Sequence, residues 1–312
     1  MGDEPGVTLV ALGGYGRGEL CPHSDLDVLA VHDGRRDLGA LANRVWYPIW
    51  DAGVRLDHSA RTERETLRLA RSDLKVAMGL LDARIVAGDE TVGSDLRSKA
   101  AGQWQEHGRR FLAELGSSTR ERHQSFGDVA FLLEPNLKEA KGGLRDITAM
   151  RAAAAAAPFA ARLDLVDDAA ELLLSARIEL HRGAPRANDR LLLQDQDEVA
   201  SRLGYGDADE LMGGISGAAR RVAWLGDDAW RRVDRWLEGP RGSRAARDRA
   251  VGPGLVLRDG ELRLTDPGVA DDDSLALRVA AAAANPSARI NHDNLARIGG
   301  LGPLFGPWSP KV

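Results

Sequence analysis

The chain has 312 residues, of which 43% are apolar and 29% charged, and its formal net charge is −5 at pH 7. This size suffices for a buried core and favours two domains over one. The acidic excess disfavours a general nucleic-acid-binding protein, which would be basic. The single cysteine, Cys21, excludes an internal disulfide, and neither a secretory leader nor a run of about 18 apolar residues is recognisable. We therefore expect a soluble cytoplasmic protein without a membrane partner.

The first sixty residues predict a small α/β unit. Residues 7–14, VTLVALGG, indicate a buried strand that ends at a glycine-rich turn, and residues 24–34, SDLDVLAVHDG, indicate a second strand. Apolar residues recur at helical spacing from Leu38 to Trp50, and residues 53–62 alternate like a third strand. The predicted order is strand, turn, strand, helix, strand.

After Thr62 the pattern becomes mainly helical. Residues 62–88 predict a helix, with Thr62 and Glu65 spaced as a capping box and Gly88 as a stop. Further helical patterns cover residues 95–115, 144–157, 167–181 and 207–237. Residues 238–254 favour a linker, and residues 255–266 a hairpin around Asp259-Gly260. We predict an α+β fold in three parts: a small sheet with helices over 1–115, a mainly helical domain over 116–240, and a linker, hairpin and C-terminal segment over 241–312.

Two aspartates in the second predicted strand indicate a metal site. A strand places residues i and i+2 on one face, so the carboxylates of Asp25 and Asp27 point the same way, several ångström apart. Such a pair repels unless a proton or a cation neutralises it, and oxygen ligands of this kind suit Mg²⁺ completed by water and substrate phosphates. This pattern is typical of phosphoryl or nucleotidyl transfer.

The turn before these aspartates indicates a phosphate site. Gly13 and Gly14 allow backbone N–H groups to approach phosphate oxygens, and Arg17 can bind those oxygens through its planar guanidinium. Ser24 stands directly before the aspartate pair. A tight turn beside a satisfied buried aspartate is the structural alternative for each feature alone. Their combination within 15 residues favours the nucleotide site.

Residues 13–31, GGYGRGELCPHSDLDVLAV, resemble the signature of the nucleotidyltransferase superfamily that includes DNA polymerase β. More narrowly, the chain resembles the bacterial PII uridylyltransferases, over residues 7 to about 240. The stretches that carry this narrower resemblance are residues 57–62 (DHSART), 81–88 (LDARIVAG), 132–147 (LLEPNLKEAKGGLRDI) and 190–207 (RLLLQDQDEVASRLGYGD).

The resemblance implies a polymerase β-like nucleotidyltransferase sheet followed by a helical domain of the uridylyltransferase type. It makes Asp25 and Asp27 the metal-binding pair, and it makes Gly13, Gly14 and Arg17 the triphosphate-binding turn. Asp57 is the candidate for the third carboxylate of the superfamily. The narrower family often has glycine at this position, so a structural role for Asp57 stays open.

The implied reaction moves UMP from UTP to a tyrosine hydroxyl of the PII nitrogen-signalling protein, with Mg²⁺ as cofactor and pyrophosphate as leaving group. Some actinobacterial relatives use ATP instead, and the sequence does not choose between the two donors. The resembled enzymes continue with an HD domain that removes the nucleotide and with ACT domains that sense glutamine. Since neither is recognisable here, we expect this chain to be the N-terminal fragment of such an enzyme.

A basic cluster in the second part predicts a further contact with the nucleotide. Lys138, Lys141 and Arg145 surround a Gly-Gly turn that leads into a predicted helix, whose N-terminus favours an anion. These side chains could meet the triphosphate or the ribose. The alternative is that they pair with Glu139 and Asp146 on a solvated surface.

Two other functions remain open. A nucleotidyltransferase acting on RNA or on a small molecule would share the same aspartates, although 5% aromatic residues and a negative net charge make nucleic acid an unfavoured partner. A non-catalytic nucleotide-binding regulator is the second alternative.

Overall fold

The computed structural model describes residues 5–34, 38–239, 249–258, 260–265, 274–284, 288–290, 294, 295 and 298. The chain divides into two compact units, Met1–Leu237 and Glu238–Val312. Helices and small sheets are both present, so the predicted α+β class is confirmed. Among the described helices, none combines the length and the apolar content that crossing a bilayer requires.

The first unit is built on a four-stranded mixed sheet. Its strands are β1 (Val7–Ala11), β2 (Leu26–His32), β3 (Leu56–Thr62) and β4 (Arg84–Gly88). The order is β3-β2-β1-β4, in which β1 is antiparallel to β2 and β4, and β2 is parallel to β3. All five residues of β1 are buried, which shows that both faces of this central strand are covered.

The two faces of the sheet contribute to different apolar clusters. Leu29 and Val31 of β2 join a large core with the helices, whereas Val28 and Ala30 pack on the opposite face around Trp46. Since side chains alternate along a strand, Asp27 lies on the same face as Leu29 and Val31. The candidate carboxylate therefore faces the side of the sheet that the helical core covers.

Ten α-helices are described between Gly13 and Glu238. They are α1 (Gly13–Arg17), α2 (Leu38–Asp51), α3 (Glu63–Ser72), α4 (Leu74–Leu81), α5 (Glu90–Glu106), α6 (Gly108–Phe126), α7 (Leu144–Ala156), α8 (Asp167–Gly183), α9 (Leu193–Leu203) and α10 (Ala208–Glu238). The helices predicted from periodicity near 38–50, 144–157, 167–181 and 207–237 are confirmed.

The segment after Thr62 differs in part from the predicted single helix. The capping box is present, since the Thr62 side chain accepts from the Glu65 N–H and the Glu65 carboxylate accepts from the Thr62 N–H. The helix prediction is wrong over residues 84–88, which form β4 because they pair with β1 at the edge of the sheet. Long-range pairing here outweighs the local helical pattern.

Three further differences concern helices. Residues 13–17, expected as a turn, form the short helix α1, which ends at Gly18 in the left-handed conformation with φ 74°. The pattern predicted as one helix over 95–115 is divided at His107 between α5 and α6. Helix α9 was not predicted as an element.

The helical part of the first unit has a second core, around Leu137, Ile147, Leu173 and Leu211. The first core joins residues from Val10 to Leu115 with residues of α7 and α10. One core therefore crosses residue 115, and the proposed division into domains at 115/116 stays a prediction.

The second unit contains a small sheet and a helix. Its elements are β5 (Arg249–Gly252), β6 (Leu255–Arg258), β7 (Glu261–Leu264), β8 (Arg289–Ile290) and α11 (Leu275–Ala283). Strands β6 and β7 form the predicted hairpin, although Asp259 lies outside the described residues. Of the predicted linker, residues 240–248 also lie outside them, and residues 249–252 form β5.

Candidate active site

A cavity of about 710 Å³ lies within the first unit. Residues from α1, the beginnings of β2 and β3, α4, α7 and α8 line it. Nine of the ten site residues that the sequence nominates line this cavity, and Lys141 does not. The nine are Gly13, Gly14, Arg17, Ser24, Asp25, Asp27, Asp57, Lys138 and Arg145. The sequence motifs thus converge on one concave site.

The parallel pairing of β2 with β3 brings two carboxylates together. Asp27 stands in register with Asp57, so both side chains project from the same face of neighbouring strands. Burial raises the pKa of Asp27, and the negative charges of Asp57 and then Asp25 raise it further. Asp27 is therefore a partly buried carboxylate whose ionised form a neighbouring positive charge would stabilise.

Asp25 has a different environment from the one that the sequence predicts. It lies one residue before β2, and the Arg55 Nε is 2.8 Å from its Oδ1. Both side chains are more than half exposed, at 54% for Asp25 and 61% for Arg55, so this pair is a weak one that a stronger ligand can displace.

The carboxylates of the cavity fit a hard cation such as Mg²⁺ only if a substrate supplies further oxygen ligands. In the described part of the chain, no group of three or more His, Cys, Asp or Glu side chains is arranged to hold a metal ion by itself. The carboxylate oxygens around Asp27 are nevertheless the ligand type that Mg²⁺ prefers, and Mg²⁺ usually completes its shell with water and substrate phosphates. The residues present thus fit Mg²⁺ held jointly with a nucleotide.

Helix α1 lies directly against Asp27. Gly13 has φ +51°, and a Cβ at this position would stand 3.0 Å from the Asp27 Oδ2. The Leu12 N–H also donates to the Asp27 backbone oxygen at 2.9 Å. Glycine at position 13 is therefore explained by its contact with the carboxylate, in addition to the phosphate approach that the sequence predicts. Gly14 lines the cavity one residue later.

Arg17 is held by protein carboxylates. Its Nε donates to Glu19 at 2.6 Å, and its Nη1 donates to Asp82. Burial alone would lower the pKa of Arg17, but the charges of Asp82 and Glu19 raise it above its ordinary value. Glu19 also accepts from Arg151 of α7 at 2.6 Å. These contacts connect the C-terminal end of α1 with the C-terminal end of α4 and with the middle of α7. The phosphate-binding role of Arg17 stays a prediction.

Ser24 shapes the loop that leads into β2. Its Oγ accepts from the Cys21 N–H at 3.2 Å, and its N–H donates to the Cys21 oxygen at 3.0 Å. The hydroxyl is therefore engaged within the turn at the wall of the cavity.

The three nominated bases fall into two groups. Lys138 and Arg145 line the cavity, and the positive charge of Lys138 opposes the rise in the pKa of Asp27. Arg145 bonds to Glu139 at 3.0 Å and is 53% exposed. Lys141 instead pairs with Asp227 of α10 at 2.9 Å. The structure thus brings two of these bases to the site and directs the third to a helix contact.

Sequence reasoning missed a cluster on α8. His181 is fully buried, with its Nε2 2.9 Å from Asp189 Oδ1 and its Nδ1 2.7 Å from the Pro22 oxygen. Arg177 donates to Asp189 at 2.6 Å and to the Cys21 Sγ at 2.9 Å. Burial by itself would raise the pKa of Asp189, but the hydrogen bond from His181 and the charge of Arg177 hold it far below its ordinary value.

This cluster fixes the loop before the aspartates against α8. A signal for it exists in the sequence, because Leu173, Arg177 and His181 follow one another at intervals of four on a single helix face. Two basic residues that continue an apolar stripe indicate a buried polar contact.

The chain is similar to a family of uridylyltransferases and to several curated bacterial proteins. The sequence profile of the GlnD PII-uridylyltransferase family matches residues 110–166 and 160–229. The bifunctional uridylyltransferase/uridylyl-removing enzyme of Streptomyces coelicolor is 43% identical, over 99% of this chain and 39% of that protein. The proteins of the same name from Mycobacterium tuberculosis and Corynebacterium glutamicum are 38% and 34% identical, over 100% and 97% of this chain. The chain spans about two fifths of the length of these curated relatives.

Proposed function

We propose that the chain transfers a nucleoside monophosphate from a nucleoside triphosphate to a protein hydroxyl. Its similarity to the GlnD PII-uridylyltransferase family and to the Streptomyces coelicolor enzyme supports this proposal. The observation that carries this proposal is the pairing of Asp27 with Asp57 in a cavity that also contains Lys138 and Gly13. Adjacent carboxylates beside basic groups are suited to a phosphate-bearing substrate and a divalent cation.

We expect Asp27, Asp57 and Asp25 to hold Mg²⁺ together with the triphosphate. When bound, this cation supplies positive charge that activates the attacking hydroxyl and stabilises the departing phosphate. For Asp25 to participate, its carboxylate has to exchange its contact with Arg55 for the cation. The exposure of that ion pair makes the exchange inexpensive in free energy.

The side chains of the cavity have separate tasks in this proposal. Gly13 keeps the space beside the Asp27 carboxylate free, and Lys138 offsets negative charge there. Arg145, more than half exposed, is available to bind phosphate oxygens. Asp57 is exposed in the cavity and can accept the proton of the attacking hydroxyl.

The bond changes follow from nucleotidyl transfer. The acceptor oxygen forms a bond to the α-phosphorus, and the bond from that phosphorus to the bridging oxygen of the β-phosphate breaks. Pyrophosphate leaves with the electron pair of the broken bond. Positioning of the acceptor hydroxyl in line with the leaving group accounts for a large share of the rate in such reactions.

For the substrates we propose UTP or ATP as donor and a tyrosine of the PII signal protein as acceptor, which would place the chain in nitrogen regulation. The support is the family name and the identity of 43% to the Streptomyces coelicolor enzyme. The described cavity has no feature that separates uracil from adenine.

The test is transfer of label from UTP or ATP to purified PII protein in the presence of Mg²⁺. We expect labelled PII with the unaltered chain and a loss of at least about 100-fold with Asp27→Asn, because one catalytic electrostatic contact contributes roughly that factor. Asp95→Asn, an exposed change on α5, is the matched control and should retain transfer.

The rival functions give other results in the same assay. Labelling of RNA or of a small molecule in place of PII would indicate the corresponding transferase. Nucleotide binding by the folded chain without transfer to any acceptor would support the regulator.

A further inference from the structure

A second cavity, of about 450 Å³, adjoins the candidate active site in the first unit. It shares Arg17, Glu19 and Asp82 with the larger cavity. The remaining residues that line it are Gly16, Leu81, Ala83, Arg84, Arg97 and Arg151. No step of the proposed reaction uses Arg84 or Arg97.

Positive charge exceeds negative charge in this cavity. Four arginines line it, against two carboxylates, which leaves an excess of two positive charges. Glu19 and Asp82 are already bonded to Arg17, and Glu19 also accepts from Arg151. Both carboxylates of this cavity are therefore already paired with Arg17 or Arg151.

The other two arginines have no carboxylate partner in the described part of the chain. The Arg84 Nε and Nη2 donate to the backbone oxygens of Gly16 and Tyr15 at 3.1 and 2.8 Å, and its guanidinium lies over the Tyr15 ring. These contacts fix the Arg84 side chain and leave its charge uncompensated. Arg97, on α5, is exposed and makes no hydrogen bond or ion pair with a described residue.

We propose that this cavity binds a small anion with phosphate groups. Guanidinium groups from β4, α5 and α7 converge on it, and planar guanidinium forks bind phosphate oxygens in pairs. An excess of two positive charges matches the charge of a dianionic phosphate, and a concave wall strengthens the attraction. Anion binding in this cavity does not require the reaction proposed for the larger cavity.

Isothermal titration calorimetry with inorganic phosphate and, separately, pyrophosphate tests this site. The titrations use the full chain at low ionic strength, without nucleotide or divalent cation. We expect saturable binding of at least one of the two anions, and the comparison separates a single phosphate from a diphosphate as the preferred ligand. Arg97→Gln should weaken that binding about tenfold, because it removes one charge-assisted contact. Arg97→Lys should restore part of the affinity.

Two control variants locate the binding. Arg68→Gln removes an exposed arginine of α3 outside both cavities and should leave the affinity unchanged. Lys138→Gln removes a base that lines only the larger cavity, so it should weaken binding less than Arg97→Gln does. The proposal is overturned if neither anion binds, if Lys138→Gln weakens binding at least as much as Arg97→Gln, or if Arg68→Gln has the same effect as Arg97→Gln. Circular dichroism confirms that each variant is folded.

Discussion

Asp27 depends on an unusual neighbour, a glycine with positive φ. A Cβ at Gly13 would stand 3.0 Å from the Asp27 Oδ2, whereas Gly18, with φ +74°, has no atom within 4 Å of its virtual Cβ. A substitution at either glycine therefore strains the backbone, but only one at Gly13 also meets the Asp27 carboxylate. This difference separates a role in the site from a role in the turn.

We predict that Gly13→Ala lowers nucleotidyl transfer far more than Gly18→Ala does. Both variants should lose about 1–2 kcal/mol of unfolding free energy, because alanine is strained at positive φ. Only Gly13→Ala also displaces the Asp27 carboxylate. Transfer rates and urea unfolding of the two variants provide the measurement, and equal losses of transfer would show that strain alone is responsible.

Asp189 leads to a second prediction for a single residue, on how the free energy of unfolding depends on pH. Its pKa is held well below the ordinary value of 3.8 in the folded chain. A lowered pKa contributes stability that is fully present above the ordinary value and is lost as the pH falls below it toward the folded-state pKa. Asp189→Asn should therefore lose about 2 kcal/mol at pH 6, since Arg177 and His181 then lack their partner, and less at pH 3.

Urea unfolding at both pH values measures this difference, with Asp95→Asn as the exposed control. A loss that stays constant between pH 6 and pH 3 would contradict the assignment of the effect to the Asp189 charge.

The sequence predicted the proximity of those residues that are close together in the chain as well as in space. Asp25, Asp27 and Gly13 lie within 15 residues, so strand alternation and glycine content suffice to bring them together. The contact of Arg177 with Cys21 spans 156 residues and exists only because α8 packs beside the loop. Lys141 lies outside the cavity lining, because it pairs with Asp227 on a helix that the local pattern does not place nearby. Its contact with a nucleotide stays a prediction.

At the scale of elements, the position of α1 depends on a close approach between backbones. A Cβ on Gly16 would stand 2.0 Å from the Asp82 oxygen and 2.9 Å from the Ala11 oxygen. Backbone atoms cannot move away as a flexible side chain can, so α1 must shift if position 16 gains a methyl group. Arg17, one residue later, would shift with it.

We predict that Gly16→Ala destabilises the chain by about 1–3 kcal/mol, the usual range for overpacking. Gly79→Ala is the matched control, since Gly79 lies in α4 with open space around its virtual Cβ. That control should be neutral or stabilising by up to about 1 kcal/mol, because alanine favours helix more than glycine does. Thermal or urea unfolding of both variants is the measurement, and a neutral Gly16→Ala would argue against this packing.

Local signals predicted elements where local interactions determine them. The Thr62 capping box and the periodic helices near α7, α8 and α10 depend on residues three or four apart, which the sequence displays directly. Strand β4 depends on its pairing with β1, more than 70 residues earlier in the chain. A short segment such as RIVAG has no local feature that reveals its partner, so its strand could not be assigned from the pattern.

At the scale of the whole molecule, both cavities belong to the first unit. Every residue that lines them lies between Leu12 and Asp189, and the first unit extends to Leu237. The end of α10 is nevertheless required by that unit, because Val233 is 1% exposed and belongs to the core that also contains Val10 and Leu29. A shortened chain that keeps both cavities and this core should therefore end after α10.

We predict that a chain of residues 1–239 folds and binds nucleoside triphosphate with the affinity of the full chain. A chain of residues 1–225 should fail to fold, because it lacks Val233 and the Trp230 that packs against Gly116. Circular dichroism and calorimetric titration with UTP and ATP in the presence of Mg²⁺ distinguish these outcomes. If residues 1–239 fold but bind nucleotide at least tenfold more weakly, the second unit contributes to the site, and the cavity of the first unit is then only part of the nucleotide-binding surface.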